Sequence, residues 1–193
     1  MKFLRNICAI ASLLGAAAFT SCTDLTEEIH SQVTADNYYN NANEVMAAMM
    51  RPWGHFCGTM QVAQAPWSCN ELSSDGAAWP QKGRHGYDNG DWIRLHRHQW
   101  VPIDPQVVSA WSKLYMGIGL ANNFLADIEK IDFQALRVPM SKAQAQAEMR
   151  VYRAYCYWYV MDMFGTAPIV EEIGIENPAS NTRAELFSWI EKE

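Results

Sequence analysis

The sequence has little positive charge and nowhere concentrates it: 15 Lys and Arg stand against 21 Asp and Glu in 193 residues, a formal charge of −6. Without a basic cluster there is no electrostatic footprint for phosphates, so nucleic acid is set aside as a partner. Long apolar stretches are also missing. The run from Ile7 to Phe19 has 13 residues; as a helix it reaches about 20 Å, short of a bilayer core of about 30 Å. No later stretch reaches the length of a membrane span. The five cysteines show neither a CxxC pair nor the Cys/His spacing of a zinc site. Nor is there a GxSxG, an HExxH or a phosphate-cradling glycine loop. A glycosidase-like acid pair would have to come from the residues between Asp75 and Asp91, whose separation a sequence does not fix. No catalytic residue and no cofactor is assigned.

What is present is globular. The chain is 49% hydrophobic and 19% charged, too apolar for disorder, and its length implies one domain. Lys2 and Arg5 precede the short apolar run, which ends in Thr20-Ser21-Cys22. Basic residues, a short apolar core and then small residues are the pattern of an export signal. Phe19-Thr20-Ser21-Cys22 resembles a bacterial lipobox, in which the Cys thiol is acylated and becomes the new first residue. Phe19 stands where such boxes prefer Leu. The plainer alternative is cleavage near Ala16-Ala17-Ala18, with Cys22 an incidental thiol. Residues 1–21 are thus expected to be a lipoprotein signal peptide, Cys22 the lipidation site that anchors the chain to a membrane, and 22–40, with Asp24, Glu27 and Glu28, an acidic tether. In an exported chain Cys57 and Cys69 are candidates for a disulfide.

Helix signals dominate the rest. A helix is predicted from Asn41 to Phe56, capped by Asn41 with Glu44 three residues on, with Val45, Met46, Met49, Met50 and Trp53 on its apolar face; Pro52 should kink or end it. A second is predicted from Pro105 to Lys130, with Asp104 as its cap. Val107, Trp111, Leu114, Ile118, Ala121, Leu125 and Ile128 share one face of it. A third opens on the capping box Ser141/Gln144, runs to Phe164 and stops at Gly165. Two such long helices joined by a short turn must pack antiparallel to bury both stripes. Tyr152, Tyr155, Tyr157, Trp158 and Tyr159 read as core and helix-packing residues, and Arg153 as a structural ion pair. A fourth helix starts at Thr182/Glu185, and its Leu186, Phe187 and Ile190 have no later element to meet. Pro66 to Pro102 differs: it holds four of the eight tryptophans, is rich in glycine, and has only Trp92 to Trp100 alternating enough for a short strand. A long irregular segment rich in glycine and aromatics is a binding loop or a disordered one, and its tryptophans argue against disorder.

Three ordered segments carry a family resemblance. They are Trp111-Ser-Lys-Leu-Tyr115 with Ala121-Asn122-Asn123; Ala147-Glu148-Met149-Arg150-Val151-Tyr152-Arg153-Ala154-Tyr155 running into Asp162-Met163-Phe164-Gly165-Thr166-Ala167-Pro168; and Asn181-Thr182-Arg183-Ala184-Glu185-Leu186-Phe187. Behind an export signal and an acidic tether, this set resembles the SusD/RagB family of surface nutrient-binding lipoproteins. The resemblance spans the mature chain but only the family's amino-terminal part, so 41–193 is expected to be an incomplete helical domain, truncated at the C-terminus. It implies an all-α, mostly helical fold of tetratricopeptide-like helix pairs with an irregular Trp/Gly-rich ligand loop. It also implies a non-enzymatic protein that binds oligosaccharide, sits at the outer membrane and partners a SusC-like TonB-dependent transporter.

A sugar offers an apolar C–H face that can lie on an indole, and hydroxyls that need polar partners at its edge. Trp79, Tyr87 and Trp92, interleaved with Asp88 and Asn89, supply both and are the candidate ligand residues; the alternative is that these tryptophans merely close the loop onto the helices. His96 and His98 would share a face on a strand, near His85, Asp88 and Asp91. No spacing supplies a further zinc ligand, and Tyr87-Asp88-Asn89-Gly90-Asp91 lacks the alternating oxygens of a calcium loop, so no metal is assigned. Two other functions remain open, a helical-repeat adaptor for protein ligands and a hydrolase using the loop acids. If Cys22 carries the anchor, Cys22→Ala abolishes metabolic labelling with a fatty acid; labelling that persists in the variant refutes it.

Overall fold

The capping sequences start the helices where they predict them. In the computed structural model, which describes residues 38–59 and 65–193, six α-helices and one short strand pair occur. The export signal, Cys22 and the acidic residues after it lie outside the described residues. Helix α1 (Ala42–Thr59) begins with the Glu44 N–H donating to Asn41 Oδ1 at 3.1 Å, while the Glu44 carboxylate accepts from the Asn40 N–H at 2.7 Å. That backbone N–H, more than any other partner, holds the Glu44 carboxyl below its usual range. Pro52, expected to kink or end the helix predicted to Phe56, does not end it, and the helix runs on to Thr59. Proline removes one hydrogen bond, but Val45, Met49 and Pro52 are buried together and their packing carries the helix through.

Helix α2 (Ala65–Leu72) and helix α3 (Asp91–His96) fall in the segment expected to be irregular. Residues 91–96 are therefore helical, not strand: Asp91 opens the turn, and Leu95 is the side chain that turn buries. Alternation over so short a stretch does not distinguish the two periods. The truly irregular parts are 73–87 and 97–104.

Helices α4 (Pro105–Ile128) and α5 (Lys142–Phe164) form the expected hairpin. Ser141 and Gln144 make the reciprocal capping box, and the Gly165 N–H closes α5 on the Met161 carbonyl at 3.0 Å. The partners run in opposite order: Gln146 meets Glu129, Arg153 meets Asn122, Tyr157 meets Tyr115 and Phe164 meets Trp111. Leu114, Ile118, Ala121 and Ile128 of α4 face Ala145, Met149, Tyr152, Cys156 and Val160 of α5, all buried. The aromatic run divides. Tyr152 and Tyr157 are core, whereas Tyr155 and Trp158 stack on each other with ring planes 6° apart and stay 40% and 44% exposed. Five aromatics within eight residues go round the helix, so one face cannot hold them all.

After α5, Ala167–Pro168 (β1) pairs antiparallel with Ser180–Asn181 (β2) and turns the chain into α6 (Arg183–Lys192). Thr182 and Glu185 cap α6 as predicted. Its apolar face does find a partner, because it packs back on α5: Leu186 is fully buried, Trp189 and Ile190 lie against the core, and only Phe187 is left half exposed. Arg153, nearly buried, is structural as expected. It donates to Asn122 Oδ1 at 2.7 Å and to the Glu193 side chain, and lies 5.5 Å from the Trp189 ring. At the other end, Tyr38 and Tyr39, the last part of the expected tether, are already docked. Tyr39 is buried and its hydroxyl donates to Asp127 at 2.9 Å. Two adjacent aromatics bury too much apolar surface to stay in a solvated linker. Cys57 and Cys69 are free thiols, so the candidate disulfide does not form. The mostly helical, helix-pair architecture stands as predicted.

Gly117 sets the distance between α4 and α5. A Cβ there would lie 2.7 Å from Tyr152 Oη and 3.2 Å from Cys156 Sγ, both on buried side chains. Although alanine is the better helix former by about 1 kcal/mol, Gly117→Ala should destabilise the fold by about 1–3 kcal/mol through overpacking. Chemical denaturation measures this, and an unchanged or higher midpoint would contradict the close approach.

Candidate functional site

Helix α2 packs on α4 and buries Leu72, which fixes where the irregular segment 73–87 leaves the helices. Lys82 and His85 then exchange backbone hydrogen bonds at 2.8 and 3.0 Å across a tight turn. Gly86 follows at φ +76°, and a Cβ there would sit 2.9 Å from the Trp79 indole nitrogen and 3.1 Å from the Pro80 carbonyl. Only glycine lets the chain pass this close to Trp79. A 3₁₀ turn at Asp88–Gly90, with Asp88 and Asn89 both at positive φ, then reverses the chain into α3.

The turn brings two of the predicted residues together. Trp79 and Trp92 stack with ring centroids 5.3 Å apart and planes 28° from parallel. Each covers one face of the other, and both remain half-buried. The Trp92 indole N–H donates to the Asp88 carboxylate, so Asp88 aims Trp92 as well as lining the surface. Tyr87, the residue before Asp88, is 55% exposed. Asn89 is exposed, with its backbone carbonyl taken by Arg94 Nη1 at 2.7 Å. The arrangement provides a half-open aromatic stack with a carboxylate bonded to it, next in the chain to an exposed hydroxyl and an exposed amide, groups suited to a polyhydroxylated ring.

Arg94 holds this turn in place, a residue the sequence reading did not single out. Its guanidinium bonds the Asn89 carbonyl and Asp91 on one side, and on the other the Asp104 carboxylate, at 3.1 Å from Nε and 2.6 Å from Nη2. Asp104 also accepts the Val101 N–H at 3.0 Å. Asp104 stands at the cap position of α4 as expected, but its side chain makes no capping bond, because Arg94 claims it. Arg94's hydrogen bond holds the Asp104 carboxyl below its ordinary range, and the same bond raises Arg94. Two buried carboxylates converging on one guanidinium make a bidentate, charge-assisted clamp. A signal for it was available: an Arg flanked by acids three residues before and ten after, the second at a helix start.

The remaining candidates do not converge. His96 ends α3, and His98 lies beyond it with Nε2 2.6 Å from the Ser73 carbonyl. Among the described residues no group of three or more His, Cys, Asp or Glu is placed to hold a metal ion. Burial pushes the Cys69 thiol up to about 11 and Cys156 to about 12, the reverse of an activated nucleophile. No helix among the described residues is long and apolar enough to cross a membrane.

A family model described as SusD-like, starch-binding and associating with the outer membrane, matches residues 20–188. The chain is 31% identical over 127 residues to the starch-binding protein SusD of Bacteroides thetaiotaomicron, across 65% of this chain and 21% of that one. Among solved structures it resembles a laminarin-binding SusD-like protein, with a TM-score of 0.62 and 21% identity over 80% of this chain and 33% of the other. It also resembles surface glycan-binding protein A from Bacteroides uniformis, with a TM-score of 0.57 and 16% identity over 77% and 32%. At these identities the structural likeness speaks for the fold alone. The chain spans about a fifth of the curated relative and a third of each solved one.

The clamp has a pH signature. A carboxyl whose folded pKa is depressed contributes stability at neutral pH and loses it only as pH falls through the lowered value. Loop order at Trp79 and Trp92, read by near-ultraviolet circular dichroism, should therefore persist down to the ordinary aspartate value of 3.8 and fade below it. Arg94→Met should remove the signal at neutral pH with helix content retained; an unchanged spectrum would show that the clamp does not order the stack.

Proposed function

The chain belongs to the SusD-like family of starch-binding, outer-membrane-associated proteins, and on that basis we propose that it captures oligosaccharide at the cell surface for a partner TonB-dependent transporter. The observation that carries this reading is the clamped Trp79–Trp92 stack with the Asp88 carboxylate bonded to it; exposed Tyr87 and Asn89 flank Asp88 in the chain. A pyranose lays its C–H face on the outer surface of the stack and exchanges hydroxyl hydrogen bonds with these polar groups. Each such bond is worth only about 0.5–1.5 kcal/mol over water, so binding is modest. That suits capture and release rather than storage. Acylated Cys22 anchors the chain, residues 1–21 leave as the signal, and the segment from 22 to the docked Tyr38 spans from membrane to fold. Binding without chemistry is supported by the family's description and by thiols shifted away from reactivity.

Calorimetry of the lipid-free chain with starch- and laminarin-derived oligosaccharides tests the assignment. Trp92→Ala should weaken binding about tenfold, equivalent to about 1.4 kcal/mol, with the helical melt unchanged. Wild-type affinity in both Trp79→Ala and Trp92→Ala would remove the stack from the ligand site. A chain that answers no sugar would favour a protein-binding adaptor. Release of shortened products would make it a hydrolase.

A further inference from the structure

A second concavity shares no residue with the Trp79–Trp92 stack, although Leu95, on the same short helix as Trp92, forms part of its wall. It has a volume of 250 Å³, is open to solvent on one side, and is formed by α2, the end of α3, the 97–104 turn, the start of α4 and the end of α5, with Asn70, Ser73, Trp100, Val107, Asp162 and Phe164 in its wall. That is room for one sugar ring. Val107 and Phe164 supply an apolar floor, and Phe164 is fixed by edge-on packing against Trp111, 5.0 Å and 87°.

Trp100 is the platform. It is 46% exposed yet its orientation is set, because the His98 ring packs edge-on against it at 5.5 Å and His98 Nε2 is tied to the Ser73 carbonyl at 2.6 Å. Immobilising the indole beforehand lowers the ordering cost when a ligand arrives. The rim is polar and has capacity to spare. The Asn70 side-chain amide makes no hydrogen bond to another described residue. The Asp162 carboxylate has Arg183 at 3.6 Å, exposed on both sides. This pair leaves the rim close to neutral, which disfavours a charged ligand and suits one rich in hydroxyls.

We propose that the Trp100 cleft is a second carbohydrate position, which takes a single pyranose ring on the indole with Asn70 and Asp162 bonding its hydroxyls. The inference rests on the glycan-binding reading above and adds a separate location to it. It also gives Trp100 and His98 a role that the stack does not require. An oligosaccharide bound at one position can then be exchanged at the other, raising the time a ligand spends near the surface without tight binding at either.

The test uses the full chain with 5-fluorotryptophan incorporated, its resonances assigned by Trp100→Phe, Trp79→Phe and Trp92→Phe. Maltotriose and laminaritriose are titrated and fluorine NMR is read. The Trp100 resonance should move saturably, and should still do so in Trp92→Ala. Asn70→Ala should weaken the Trp100 response about fivefold, the worth of one neutral hydrogen bond, and leave the Trp79 and Trp92 responses unchanged. Movement of Trp79 or Trp92 with Trp100 fixed would overturn the cleft and leave the glycan-binding reading intact. No movement at any of the three with either sugar would overturn both.

Discussion

Everything the chain can present to a ligand depends on how closely α4 and α5 approach one another. Gly117 admits the Tyr152 hydroxyl and the Cys156 sulfur to the α4 backbone, and the seam buries an aliphatic and aromatic stripe from both helices. Three other elements take their positions from this pair. Helix α1 lies against both helices, α2 lies on α4, and α6 packs on α5. Arg153 then ties the seam to α6 through Asn122 and Glu193, inside a site too dry for a lone charge. A tight hairpin of this kind gives the loop emerging from α2 a rigid base.

On that base the loop becomes ordered by charge rather than by burial. Residues 73–87 contribute little to the core, so hydrophobic packing alone would leave them loose. The guanidinium of Arg94 links the Asn89 carbonyl, Asp91 and the first turn of α4, which turns a flexible reversal into a fixed one. Glycine at 86 permits the close pass under Trp79. Trp92 is then aimed by Asp88, and two indoles that would lower their free energy by burial stay half open. Half-buried aromatics held this firmly support the proposal of a surface prepared for an apolar-faced ligand. The amphipathic chemistry of a pyranose matches it.

Much of this was legible in the sequence wherever the physics is local. Capping boxes at Ser141/Gln144 and Thr182/Glu185 and the stripes on α4 and α5 depend on neighbours three and four residues away, and the structure has them where they were expected. The ordered segments around Trp111, Arg153 and Thr182 placed the chain in its family. What failed was decided by distant contacts. Pro52 stays helical because two other helices hold α1 from outside, and α6 finds its cover on α5, behind it in sequence. Residues 92–96 alternate by composition yet form a helical turn, since Leu95 needs only one buried position. Asp104 was read as a cap from its place before Pro105; the partner that took its carboxylate is ten residues back. At the site, Trp79, Tyr87, Asp88, Asn89 and Trp92 could be nominated from composition. Their stacking, and the Arg94 clamp behind it, could not.

Under this reading an ordered aromatic surface on a helical hairpin binds neutral glycan. Affinity electrophoresis through native gels containing starch or laminarin tests it without choosing an oligosaccharide length. Migration should slow in proportion to polysaccharide concentration in at least one of these gels, with a non-binding reference protein unaffected. Migration identical to the reference in both, at every concentration, would contradict it.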